Sequence, residues 1–214
     1  MKQTVNKNDI VVLVHGLGGS RLDLWPLGRQ LKRCGYQVRH WVYRSFRNRI
    51  EKHADRLAND LIALDADLSD GKIHLVTHSM GGIIARAMFA NHTIENLGRV
   101  VMLAPPHRGS HVARKLAPYL GWLTPSLLQL SDGEDSFANQ LPNSFMAKGI
   151  EFGIVEATKD RVIAQGNVLL DGYRDYASVT GHHGVLAWYP QTIQLAENFL
   201  IHGRFEQSGF TPPK

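Results

Sequence analysis

Six short apolar runs, separated by longer amphipathic stretches, constrain the fold of this 214-residue chain more than any other feature. Several runs are rich in Val and Ile and almost without polar residues, as expected for strands that are covered on both faces. Their alternation with helical stretches is typical of β-α-β units and a mostly parallel sheet. The predicted strands are 10–14, 37–42, 73–77, 99–103, 152–157 and 175–179.

Four helices are predicted from apolar residues that recur at helical spacing. They are 25–32, 49–64, a helix that begins just after Ser79, and a last helix that runs from Pro190 to Gly203. Helices on both faces of a sheet of about six strands predict a three-layer α/β/α sandwich, formed by residues 1–214 as a single domain.

The segment 105–149 is long for a connection inside such a domain. It mixes Pro, Gly and Ser with a cluster of leucines and Trp122. One interpretation is a lid or cap that forms part of a binding site, and the other is a small helical excursion that only covers the sheet. The sequence leaves both interpretations open.

The charge of the chain is basic, with a formal net charge of +5. Part of the excess lies in 44–56, and it suggests either weak contact with an anionic membrane surface or a solvated helix face, because carboxylates are interleaved. No nucleic-acid-binding motif accompanies it, so a nucleic-acid partner is not expected. The polar start of the chain and the absence of a long apolar run predict a cytoplasmic location without a membrane span. The oligomeric state is not predicted.

The hexapeptide Thr-His-Ser-Met-Gly-Gly at 77–82 lies where a predicted strand ends and a helix begins. A sharp strand-to-helix turn exposes a serine as a nucleophile, provided that the residues two before and two after it are small. Gly81 meets this requirement, whereas Thr77 replaces the usual glycine. Ser79 is therefore the predicted nucleophile, and the alternative is a serine that merely caps a buried helix.

A glycine-rich stretch, His-Gly-Leu-Gly-Gly-Ser at 15–20, directly follows the first strand. Its backbone N–H groups could hold the oxyanion of a tetrahedral intermediate together with the N–H group of Met80. Leu17 is the first candidate for the second donor, and Gly18 is the next. A phosphate-binding loop is the rival interpretation, but no Gly-Lys-Ser/Thr follows.

The acid and the base that would activate the serine are expected later in the chain, in that order. Asp160 directly follows the strand 152–157 and is the predicted acid, with Asp171 and Asp175 as alternatives. His182 is the predicted base, with His183 as the alternative, because both lie between the last strand and the last helix. The remaining histidines are assigned to loops or pocket lining, and no metal or cofactor is predicted.

Three stretches together resemble the α/β-hydrolase superfamily, in particular small bacterial lipase-like esterases. These are His-Gly-Leu-Gly-Gly at 15–19, Thr-His-Ser-Met-Gly-Gly at 77–82 and Leu-Ala-Pro-Pro-His-Arg-Gly-Ser at 103–110. The resemblance implies that the first histidine of a pair is catalytic, which favours His182. The sequence departs from the family in that it starts at the strand before the glycine-rich loop, so the first two strands of the family are expected to be absent, which implies a minimal six-stranded sheet.

The expected function is hydrolysis of a carboxylic ester by a Ser-His-Asp triad, with a small-molecule acyl ester as the substrate. An acyltransferase or thioesterase would use the same triad, and a non-catalytic binding module could keep the fold. The residues expected to contact the substrate are Gly16, Gly18, His78, Trp122 and Leu127.

Overall fold

The computed structural model describes residues 5–143, 145 and 148–205. Its strands are β1 (Ile10–Val14), β2 (Gln37–Trp41), β3 (Ile73–His78), β4 (Leu97–Leu103), β5 (Phe152–Ala157) and β6 (Asp175–Val179). They form one six-stranded sheet with the order β2-β1-β3-β4-β5-β6, and every neighbouring pair is parallel. The predicted fold class is confirmed, and the sheet is wholly rather than mostly parallel.

Helices cover both faces of the sheet. They are α1 (Trp25–Arg33), α2 (Ile50–Ala66), α3 (Met80–Asn91), α4 (His111–Leu120), α5 (Pro125–Gln129), α6 (Phe137–Gln140), the 3-10 helix His183–Trp188 and α7 (Pro190–His202). Helices α2 and α3 pack against each other, while α1 contacts the last helix, α7. The four predicted helices correspond to α1, α2, α3 and α7, and each predicted helix end lies within two residues of the observed one.

The order of the strands places the loops after β1 and β3 side by side. The chain passes from β1 outward to β2 and then returns to the other side of β1 as β3. Val14 at the end of β1 pairs in register with Thr77 near the end of β3. In open α/β sheets, ligands bind where the strand order reverses in this way, at the carboxyl ends of the strands.

The excursion between β4 and β5 contains α4, α5 and α6. The buried guanidinium group of Arg86 on α3 anchors it at both ends. Its Nη1 donates to the carbonyl oxygens of His107 and Ala138, each at 3.1 Å, and its Nε donates to that of Pro142 at 3.3 Å. A buried cation needs such partners, so these bonds fix both ends of the excursion against the core. Its movement as a lid stays a prediction.

Candidate active site

The backbone at Ser79 has the strained geometry that the hexapeptide predicts. Its φ is 52° and its ψ is −124°, a conformation that L-residues rarely adopt. The turn depends on Gly81, because a Cβ there would lie 2.6 Å from the carbonyl oxygen of Val14. Thr77, which replaces the usual glycine, is fully buried.

Ser79, His183 and Asp160 form a hydrogen-bonded row at the carboxyl edge of the sheet. His183 Nε2 lies 2.9 Å from Ser79 Oγ, and His183 Nδ1 lies 2.7 Å from Asp160 Oδ2. Because a carboxylate only accepts, Nδ1–H donates to Asp160 and Nε2 is left to accept the serine proton. The arrangement can therefore activate Ser79 as a nucleophile.

The structure does not place His182 where the base was predicted. The neighbouring His183 lies between Ser79 and Asp160 instead. His182 is exposed, and its backbone N–H donates to the hydroxyl oxygen of Tyr189 at 3.2 Å. It lies just before the 3-10 helix, with φ −101° and ψ 151°, while His183 is the first residue of that helix. Adjacent residues across such a change of backbone direction point to different sides, and only His183 faces the serine.

Asp160 occupies the position expected for the acid. Its Oδ1 accepts from the N–H groups of Val162 at 2.7 Å and Ile163 at 2.9 Å. Burial alone would raise the pKa of Asp160, but the hydrogen bond and charge of His183, with these two N–H groups, hold it below its ordinary value. The carboxyl group therefore stays ionised and holds the imidazole of His183 in one orientation.

The two alternative acids lie elsewhere. Asp175 begins β6, at the amino edge of the sheet, and its carboxylate accepts from the N–H groups of Tyr176 and Phe205. Asp171 is exposed and precedes β6. Since the serine follows the carboxyl end of β3, neither alternative shares its edge.

His78 does not contact a substrate site as expected, because its side chain is buried. Its Nε2 donates to the backbone carbonyl oxygen of His183 at 3.0 Å. Burial, followed by the charge of His183, lowers the pKa of His78 to about 3. The imidazole is therefore neutral at physiological pH, and it joins the turn at Ser79 to the loop that carries His183.

The glycine-rich loop after β1 lies against the serine. A Cβ on Gly16 would lie 2.9 Å from Ser79 Cβ, so the loop can approach only because this residue is a glycine. The N–H group of Gly18 donates to Ser45 Oγ at 2.9 Å and is not available to an oxyanion. Leu17 and Met80 remain the candidate donors, since Met80 begins α3 and the first N–H groups of a helix have no acceptor within it.

Two residues that the sequence did not single out hold this loop from the end of β2. Tyr43 donates its hydroxyl proton to the carbonyl oxygen of His15 at 2.8 Å, and Ser45 accepts from Gly18. The two bonds fix the backbone on either side of Leu17. The parallel pairing of β1 with β2 was the available signal, because it brings the loops after both strands to one edge.

The two residues expected to contact the substrate from the excursion differ in burial. Trp122 is 83% exposed, which is typical of a surface side chain, whereas Leu127 is 6% exposed and belongs to the core. His107 is also buried, with Nε2 lying 3.2 Å from the sulfur of Met102. Within the described part of the chain, no group of three or more His, Cys, Asp or Glu side chains could hold a metal ion.

A cavity of about 590 Å³ lies at the opposite, amino edge of the sheet, near His74 and Arg99. Ser79 does not line this cavity. The candidate site is therefore located by the row of Ser79, His183 and Asp160, and not by the cavity. Among the helices that the structure describes, none is long and apolar enough to cross a membrane.

Comparison with known proteins supports the fold described above. Residues 11–205 match a family described as the alpha/beta hydrolase family. No curated protein is similar enough in sequence to count as a relative. The mature form of the Bacillus licheniformis lipase BlEst2 is 19% identical with a TM-score of 0.68, over 83% of this chain and 85% of that one.

Two further solved structures have the same fold. Aspergillus fumigatus lipase B is 16% identical with a TM-score of 0.69, over 93% of this chain and 55% of that one. The Legionella pneumophila phospholipase PlaB, in complex with thio-NAD, is 23% identical with a TM-score of 0.59, over 71% of this chain and 38% of that one. At these identities the comparisons establish the fold.

Proposed function

We propose that this chain, which belongs to the alpha/beta hydrolase family, is a serine hydrolase that cleaves carboxylic esters through an acyl-enzyme intermediate. The observation that carries the proposal is the hydrogen-bonded row of Ser79, His183 and Asp160. Lipases among the structural neighbours favour a small-molecule acyl ester as the substrate class.

Acylation follows from the positions of these groups. As Ser79 Oγ attacks the acyl carbon, its proton passes to His183 Nε2, and Asp160 stabilises the imidazolium that forms. The carbonyl oxygen becomes an oxyanion, held by the N–H groups of Leu17 and Met80. His183 then returns the proton to the leaving alcohol, and the acyl group remains on the serine.

Deacylation repeats these steps with water as the nucleophile. His183 takes a proton from water, the resulting hydroxide attacks the acyl-enzyme, and Ser79 leaves with the proton returned by His183. Another acceptor, such as an alcohol, would give acyl transfer by the same steps. The proposal is hydrolysis, and measurement of product with and without added short alcohols separates the two reactions.

The two adjacent histidines offer a matched experiment. His183→Asn is expected to lower kcat for a p-nitrophenyl ester by on the order of 10⁴-fold, because Ser79 loses its base. His182→Asn, one residue away and exposed, is expected to retain most of the activity. Equal losses in the two variants, or none in either, would contradict the assignment of the base.

Labelling of the serine separates an enzyme from a binding module that only keeps the fold. A fluorophosphonate probe should label the wild-type chain and leave Ser79→Ala unlabelled, because the probe traps an activated serine. Hydrolysis of p-nitrophenyl esters of increasing acyl length then defines the substrate. A wild-type chain that neither reacts with the probe nor hydrolyses any ester of the series is not an esterase.

A further inference from the structure

Most of the large apolar side chains of α4 and of the turn into α5 face solvent. Helix α4 buries only Ala113 and Ala117, which lie one turn apart, so its packing face consists of small residues. Tyr119 is 75% exposed and Trp122 is 83% exposed. The six exposed residues, here called the apolar tip, are Leu116, Tyr119, Leu120, Trp122, Leu123 and Leu128.

This arrangement is the reverse of an ordinary surface helix, whose large apolar side chains face the protein. The parts of the tip lie together, because α4 contacts α5 and the indole N–H of Trp122 donates to the carbonyl oxygen of Tyr119 at 3.1 Å. Contiguous exposed apolar surface on a globular domain marks an interaction site. The tip is therefore a candidate surface for docking onto an apolar partner.

The charge at the tip itself is balanced. Arg114 pairs with Asp132 at 2.8 Å, and Glu134 and Asp135 line a shallow pocket together with Leu128. The charge that distinguishes a partner must therefore come from the surface next to the tip.

A cationic loop lies beside α5. The hydroxyl group of Ser126 donates to the carbonyl oxygen of Ser45 at 3.5 Å, which places the loop between β2 and α2 next to the hairpin formed by α4 and α5. On that loop, Phe46 is 52% exposed and is flanked by exposed Arg44 and Arg47. The loop contains no Asp or Glu, so an anionic partner is favoured over a neutral or cationic one.

We propose that the apolar tip docks onto the surface of an anionic lipid bilayer. Trp and Tyr side chains favour the membrane–water interface, and nearby Lys and Arg are attracted to anionic headgroups. A second copy of this chain is a poorer occupant, because it would bring together two like-charged surfaces on chains with a net charge of +5.

The docked side borders the candidate active site. The ring of Phe46 would lie 3.1 Å from a Cβ placed on Gly18, in the loop that carries Leu17. Docking would therefore bring the edge of the sheet that carries Ser79 toward the lipid. Binding itself does not depend on hydrolysis, so it is measured on Ser79→Ala, and its failure would leave the proposed hydrolase untouched.

The experiment is sedimentation of Ser79→Ala with vesicles of phosphatidylcholine alone or of phosphatidylcholine mixed with phosphatidylglycerol. Binding is expected to the mixed vesicles and to weaken with added salt. Further replacement of Tyr119 and Trp122 by Ser should weaken the partition on the order of tenfold or more. The matched control is Tyr173→Ser, since Tyr173 is exposed just before β6 at the opposite edge of the sheet.

Three results would overturn the proposal. One is the absence of sedimentation with the mixed vesicles. Another is an equal loss of binding in the control and in the Tyr119 and Trp122 variant, provided that circular dichroism shows both to be folded. The last is a dimer in sedimentation equilibrium that dissociates in the same variant, since the tip would then be an interface between two copies.

Discussion

The buried imidazole of His78 should make the fold sensitive to acid. Burial, followed by the charge of His183, lowers the pKa of His78 from an ordinary 6.5 to about 3. Between these values the unfolded chain binds a proton that the folded chain excludes. The free energy of unfolding is therefore undiminished above about pH 6.5 and falls as the pH decreases toward 3.

The size of this effect follows from the two pKa values. Each pH unit between these two pKa values changes the free energy of unfolding by about 1.36 kcal/mol per excluded proton. Between pH 7 and pH 5, His78 alone should therefore remove about 2 kcal/mol. Burial also lowers the pKa of His53, to about 4, so the wild-type chain should lose more than His78 alone explains.

The variant His78→Gln isolates the contribution of one residue. Glutamine cannot take up a proton in this range, but its amide can still donate to the carbonyl oxygen of His183. Urea unfolding, followed by tryptophan fluorescence at pH 7 and pH 5, should show a loss about 2 kcal/mol smaller in this variant than in the wild type. The control His182→Gln changes an exposed histidine and should match the wild type.

Activity provides an independent readout of the same residue. His78→Gln should retain most of kcat, whereas His78→Phe should lower it about tenfold, because the carbonyl oxygen of His183 loses its donor. If the wild type and His78→Gln lose the same free energy between pH 7 and pH 5, the imidazole is not held neutral by burial, and the reasoning is refuted.

Three further predictions concern the loop at the serine and the excursion. Ser45→Ala should lower kcat and the affinity for a boronic acid inhibitor in parallel, by about tenfold at unchanged KM, with Ser45→Thr restoring both. Gly16→Ala should lower kcat by at least about a hundredfold in the p-nitrophenyl ester assay, because its Cβ would displace Ser79. Leu127→Ala should reduce the free energy of unfolding in urea by about 2–5 kcal/mol, whereas Trp122→Ala should change it by less than about 0.5 kcal/mol.

The sheet could be predicted from the sequence because its strands carry a strong local signal. The run Ile10–Val14 is buried at every position, and it reads as a strand without reference to the rest of the chain. The weaker pattern at Gln37–Trp41 reflects an edge strand, with one side exposed. Such signals depend only on burial and on the spacing of apolar residues, and both can be recognised from consecutive residues of the sequence.

The choice between His182 and His183 could not be made in the same way. The two residues share the loop and the chemistry, and they differ only in the direction that the backbone gives each side chain. The loop that gives this direction packs closely, since a Cβ on Gly181 would lie 2.2 Å from the ring of Tyr189. The contact is set by the packing of the whole loop and not by the local composition.

The supports of the candidate site bear on whether the proposed catalysis and the proposed surface binding can be separate. His78 holds the loop of His183, while Tyr43 and Ser45 hold the glycine-rich loop, and all three side chains belong to strands of the sheet or to the loops that follow them. Ser126 touches this network through one bond of 3.5 Å. The excursion supports the acid more directly, because Ser110 Oγ donates to the carbonyl oxygen of Val162 at 2.6 Å, and the N–H group of Val162 donates to Asp160. Ser110 caps the start of α4, so this support does not involve the exposed side of α4 and α5, which can carry apolar residues without disturbing the geometry around Ser79.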